Sequence, residues 1–183
     1  CELRLDLPLV GRADLLAEAE RHYRRAAAAD RTQTACRSAL ASLCQETGRT
    51  EEAFQWLDEL GEIEPDNPRW PLLIGNLHAR SARFDPAEEA FRRACELAPD
   101  RAAGYAALAQ LYVLAGREPS RAVEAARKAV ELEPVAPAYY ALSAALRANG
   151  DLPAARRAIE RAMQLDPQHS DYRHLHEKLL AEQ

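Results

Sequence analysis

Residues 102–135 read AAGYAALAQLYVLAGREPSRAVEAARKAVELEPV, and the order of large and small side chains there decides the fold. Tyr105, Leu108, Ala109 and Tyr112 recur at the three- and four-residue spacing of one apolar helix face. Gly116 stops that helix, Ala122, Ala126 and Ala129 make the inward stripe of a second, and Pro134 closes it. The same order returns on both sides of this stretch. Leu40, Ile74, Leu108 and Leu142 stand 34 apart, and each is followed by a small residue: Ala41, Gly75, Ala109 and Ser143. Cys44, His78, Tyr112 and Leu146 keep the interval, as do Gly48, Ala82, Gly116 and Gly150. A period of this length, with a small residue at the turn and a closing proline, means a stack of helical hairpins. One hairpin cannot bury its apolar face, so its neighbours must stack on it to make a core.

Working outward gives four full units over residues 34–168. The first has Leu40, Ala41 and Cys44 on its first helix and Ala53, Leu57 and Leu60 on its second, with Thr50 expected as the cap between them. Glu51 and Glu52 then sit in the first turn, where acidic groups favour the helix dipole. The second unit carries Ile74, Gly75 and His78, then Ala87, Phe91 and Ala94, with Asp85-Pro86 expected as cap and first residue. The third has one residue more in its turn, Glu118-Pro119-Ser120, and Pro134 accordingly runs one position late. A loop insertion of that size is cheap because it touches no packing. The fourth reads Tyr139, Leu142, Ser143 and Leu146, then Ala155, Ile159, Ala162 and Pro167. Residues 1–33 hold a degenerate or partial unit with Ala19, Tyr23 and Ala26. Residues 169–183 hold a capping helix with Tyr172, Leu175 and Leu179 inward.

The order aromatic, Leu, small, aromatic, then Ala, Phe-like, Ala and Pro resembles the tetratricopeptide repeat. Tyr105, Leu108, Ala109, Tyr112, Ala122, Ala129 and Pro134 carry the resemblance most fully. The first unit departs from it, with Arg37 at the opening aromatic position and Cys44 at the second. The resemblance implies an all-α, right-handed superhelical solenoid of about ten helices in antiparallel pairs. It also implies a concave groove, lined by the first helices, that binds peptides or partner segments.

At about 100° per residue, positions 2, 5, 9, 12 and 13 of each first helix point away from the hairpin core. From these the expected partner-binding residues are Arg69, Leu72, Asn76, Arg80, Gln110, Val113, Tyr140 and Arg147. Asn76 and Arg80 are one turn apart and suit a backbone amide and a carboxylate, and Tyr140 offers an amphipathic ring of the kind favoured at hot spots. The charged members of the set are arginines, so a partner with an acidic group is expected. The bland alternative is that Leu72, Val113 and Leu114 contact neighbouring helices while Asn76 and Arg80 are solvated. A dedicated clamp for a C-terminal carboxylate, found in some members of the family, is not expected. Ser38, Leu72, Ala106 and Tyr140 stand where its lysine would be.

The remaining composition excludes more than it offers. A net charge of -5 gives no electrostatic case for binding nucleic acid or an anionic membrane. No apolar run reaches the roughly 18–20 residues of a bilayer span. Cys36 and Cys44 share one helix about 12 Å apart, beyond disulfide reach, and no CxxC pair occurs. His169, His174 and His176 lie near one another in sequence but face apart or too far from each other for one metal. With seven glycines and no phosphate loop or nucleophile elbow, neither catalysis nor a cofactor is expected.

The Ala- and Arg-rich composition, with lysine only at Lys128 and Lys178, points to a bacterial origin. Cys1 is either the lipidated start of a bacterial lipoprotein or an arbitrary boundary. A membrane partner and a periplasmic place follow only from the first, and a cytoplasmic place stays open. The expected function is protein–protein interaction through the groove. The alternatives are a self-associating scaffold of an envelope complex and the docking arm of a larger enzyme.

Overall fold

A computed structural model describes residues 9–182, with side chains from residue 11 onward except at 12 and 13. Cys1, and with it the lipoprotein expectation, lies outside the described residues. The described residues form ten helices and no strand: α1 (Leu9–Ala29), α2 (Thr34–Glu46), α3 (Thr50–Ile63), α4 (Arg69–Arg80), α5 (Phe84–Leu97), α6 (Ala102–Ala115), α7 (Pro119–Leu132), α8 (Ala136–Ala148), α9 (Leu152–Leu165) and α10 (Ser170–Ala181). They fall into two compact units, divided at Trp70 and Pro71 in the first turn of α4.

In the first unit α2 packs on α3 and on the end of α1. Leu40, Cys44, Ala53, Leu57 and Leu60 are fully enclosed there, as the 34-residue register requires. The opening aromatic that this hairpin lacks is replaced by Arg37, which is only 5% exposed. Its guanidinium donates to the carbonyls of Ala27 at 3.0 Å, Asp30 at 3.1 Å and Gln33 at 3.3 Å. Its Nε also donates to Glu59 at 2.9 Å. The last carbonyls of a helix have no partner within it, so one buried arginine satisfies the end of α1 and ties it to α3.

The second unit has one continuous core running from Ala87 and Phe91 through Leu108, Tyr112, Ala126, Leu146 and Ile159 to Tyr172, Leu175 and Leu179. Gly75 and Ala109 are buried, and the enclosed hydroxyl of Ser143 donates to the Ala155 carbonyl at 2.8 Å. These small residues let the two helices of a pair approach closely. The large residue before each is less uniform than the repeat implies. Leu40 and Leu108 are buried, whereas Ile74 and Leu142 are only half-buried.

The turn position of each of the four repeats adopts a left-handed backbone: Gly48 at φ 75°, Ala82 at 55°, Gly116 at 64° and Gly150 at 83°. The residue after Gly48, Arg49, donates its N–H back to Cys44 and accepts from Ala53. It therefore ends one helix and starts the next, and Thr50 lies inside α3 rather than capping it. Arg83 has the same place before α5, which puts Phe84, not Pro86, at the first helical position. In the third repeat a second left-handed residue, Glu118 at φ 52°, follows Gly116 and Arg117, and Pro119 opens α7. The connection from α7 to α8 then shortens to Glu133, Pro134 and Val135, and α8 begins back in register.

Candidate binding surface

The first helices of the second unit are α4, α6 and α8, of which α6 and α8 lie side by side. Asn76 and Arg80 on α4, Gln110 on α6 and Arg147 on α8 are exposed. Leu72, Val113 and Tyr140 are half-buried and pack against the second unit's core, so they present only edges to solvent. Leu114, beside Val113, is 62% exposed. The periodicity of α6 places it outward, free of neighbouring helices, although it is not among the expected binding residues. Arg69, also exposed, lies in the first unit, where its guanidinium covers the Trp70 ring at 5.2 Å.

The outward face of α8 is engaged by the chain itself. Tyr140 meets the ring of buried Tyr172 on α10 at 5.3 Å, and His169 stacks on the same ring at 4.1 Å. Arg147 donates from Nε to both carboxylate oxygens of Glu182, at 2.9 and 3.0 Å, and from Nη2 to Oε1. This contact holds the Glu182 carboxyl below its usual range and the Arg147 guanidinium above its own. The spacing of α8 residues alone contains no sign of either contact, since both depend on where α10 docks.

Elsewhere the charged groups tie helices together. In the first unit Arg49 forks onto Glu20 at 2.7 and 2.8 Å, and Arg24 donates to the same carboxylate at 2.9 and 2.7 Å. Hydrogen bonds from Arg49 and then Arg24 hold Glu20 down at about 2. In the second unit Glu88 accepts from Tyr112 at 2.8 Å and Arg121 at 3.2 Å, with Arg117 close by. Burial pushes the Cys95 thiol up to about 11, against the close approach of Gly104. No group of three His, Cys, Asp or Glu among the described residues is placed to hold a metal, and no described helix is long and apolar enough to cross a membrane.

Three family models, each described as the tetratricopeptide repeat, match residues 13–77, 72–101 and 136–169. The chain belongs to the tetratricopeptide repeat family. Among solved structures it is similar to TTC0263, a thermophilic TPR protein of Thermus thermophilus, with 17% identity, 94% of each chain covered and a TM-score of 0.74. It is also similar to a MamA structure, with 20% identity, 91% of this chain and 98% of that one covered, and a TM-score of 0.69. MamA 41-end of Desulfovibrio magneticus RS-1 aligns at 20% identity over 83% and 90% of the two chains, with a TM-score of 0.66. Identities this low speak for the fold alone. No curated protein matches the chain in sequence. A fold of this family serves in general as a protein-interaction module.

Proposed function

We propose that the outward face of α4, α6 and α8 binds a segment of a partner protein, with Leu72, Asn76, Arg80, Gln110, Val113, Tyr140 and Arg147 lining it. The observation that carries the reading is the exposure of Leu114 one turn along α6 from the exposed polar tip of Gln110. A large apolar side chain amid hydrogen-bonding groups is the composition of a binding hot spot, where burial supplies affinity and polar groups set register. Arg80 gives the face a cation, which favours a partner bearing a carboxylate and steers its approach.

The test is affinity for a captured partner, measured by titration. Leu114→Ala and Arg80→Ala should each weaken binding by at least about 1 kcal/mol and leave the thermal melt unchanged. Tyr140→Ala should weaken binding similarly but lower the melting point too, since its ring meets Tyr172. Equal affinities for wild type and a Leu114→Ala/Arg80→Ala double variant would remove this face from the reading. Assembly is the second reading, favoured by α1, where Leu15 and Tyr23 are 51% and 39% exposed. Concentration-dependent association, lost in Leu15→Gln/Tyr23→Gln, would then be the result.

A further inference from the structure

We propose that Glu182 is an internal competitor for the acidic partner of this face, holding Arg147 until a carboxylate from the partner replaces it. The inference rests on the groove reading above and adds a device that regulates it. Arg147 lies in the last turn of α8, among the outward-facing positions, and its guanidinium already holds a carboxylate in a forked contact. That is the geometry an incoming acidic side chain would adopt. The donor of this carboxylate is the residue that follows the last helical residue of α10.

Tyr172, Leu175 and Leu179 bury one face of α10, and Arg156 donates to the Leu179 carbonyl at 3.1 Å. The helix is thus anchored up to its last turn, while Glu182 beyond it reaches Arg147 with one side chain. Arg147 and Glu182 remain 40% and 36% exposed, so the contact is open to an exchanging carboxylate. An exposed pair of this kind contributes little to stability. It can therefore yield to a partner while still lowering the affinity of weak acids for the same guanidinium.

The experiment uses the full chain and a short labelled peptide of alternating Leu and Glu, with a Leu–Gln peptide as the uncharged control. Fluorescence anisotropy should show Glu182→Gln binding the Leu–Glu peptide about two- to fivefold tighter than wild type. The gain should vanish in Arg147→Gln/Glu182→Gln, and the Leu–Gln peptide should show no gain from Glu182→Gln. Circular dichroism melts establish that each variant is folded, and Glu182→Asp, which shortens the reach but keeps the charge, should fall between wild type and Glu182→Gln. Equal affinity of wild type and Glu182→Gln for the Leu–Glu peptide, with Arg80→Ala still weakening it, overturns the competitor and leaves the groove standing. Absence of binding by every variant overturns the groove reading and the competitor with it.

Discussion

A Cβ placed on Gly75 would stand 2.5 Å from Cε1 of Phe91, so the ring on α5 fills the space that the glycine on α4 leaves open. Phe91 is 2% exposed and has nowhere to retreat. Gly75→Ala should therefore cost about 1–3 kcal/mol through overpacking, despite its gain in helix propensity. Denaturant unfolding measures it. Combining the change with Phe91→Leu should restore part of the loss, and an additive double variant would argue against direct contact.

Ala82 holds the left-handed turn conformation that glycine supplies in the other three repeats. Side chains clash sterically in that backbone, whereas glycine adopts it freely. Ala82→Gly should stabilise the protein by about 0.5–1 kcal/mol after the added entropy of the unfolded chain, a rise in Tm of about 1–4 °C. A lower Tm would contradict the strained turn.

Glu20 is held at about 2 in the folded protein, against an ordinary value of 4.5. A lowered carboxylate contributes stability that is complete above the unfolded value and is lost as pH falls through the folded one. The forked pair with Arg49 should therefore stabilise the first unit fully above about pH 4.5 and progressively less down to about pH 2. Allowing for screening at this partly exposed site, its share is about 1–2 kcal/mol. Melts of wild type and Glu20→Gln should differ at pH 6 and converge toward pH 2.

Arg37 should behave as a buried linchpin of the first unit. Arg37→Met fills similar space but removes the buried donor to the Ala27 carbonyl, and an unsatisfied buried acceptor costs about 1–3 kcal/mol together with the lost pair to Glu59. Hydrogen exchange should show the loss in α1 and α2. Unchanged protection of the α1 amides would refute the assignment.

The period exposed the helix pairing, the enclosed small residues and the left-handed turns directly, because each is a local demand repeated four times. What escaped it was singular. Thr50 looks like a cap, but the residue after a left-handed glycine already closes one helix and opens the next, so Arg49 takes that place. Arg37 breaks the aromatic pattern, and only the chain end of α1 lying over it shows what its donors satisfy. On the outward face, periodicity points Leu72, Asn76, Arg80, Gln110 and Val113 away from their own hairpins. It carries no information on Tyr172 or Glu182, which reach Tyr140 and Arg147 from outside the repeating pattern.

From Gly116 to the inward Ala122 the chain takes one residue more than from Gly48 to Ala53 or from Gly150 to Ala155, and α8 still starts in register. Phase is thus restored within a single connection and is not propagated down the array. For an engineer this makes the α6–α7 turn a splice point: an epitope, a protease site or a tether placed between Arg117 and Pro119 would lengthen a linker without shearing the helices that follow. For descent by duplication, it means that unequal units can be joined without a compensating change in every neighbour.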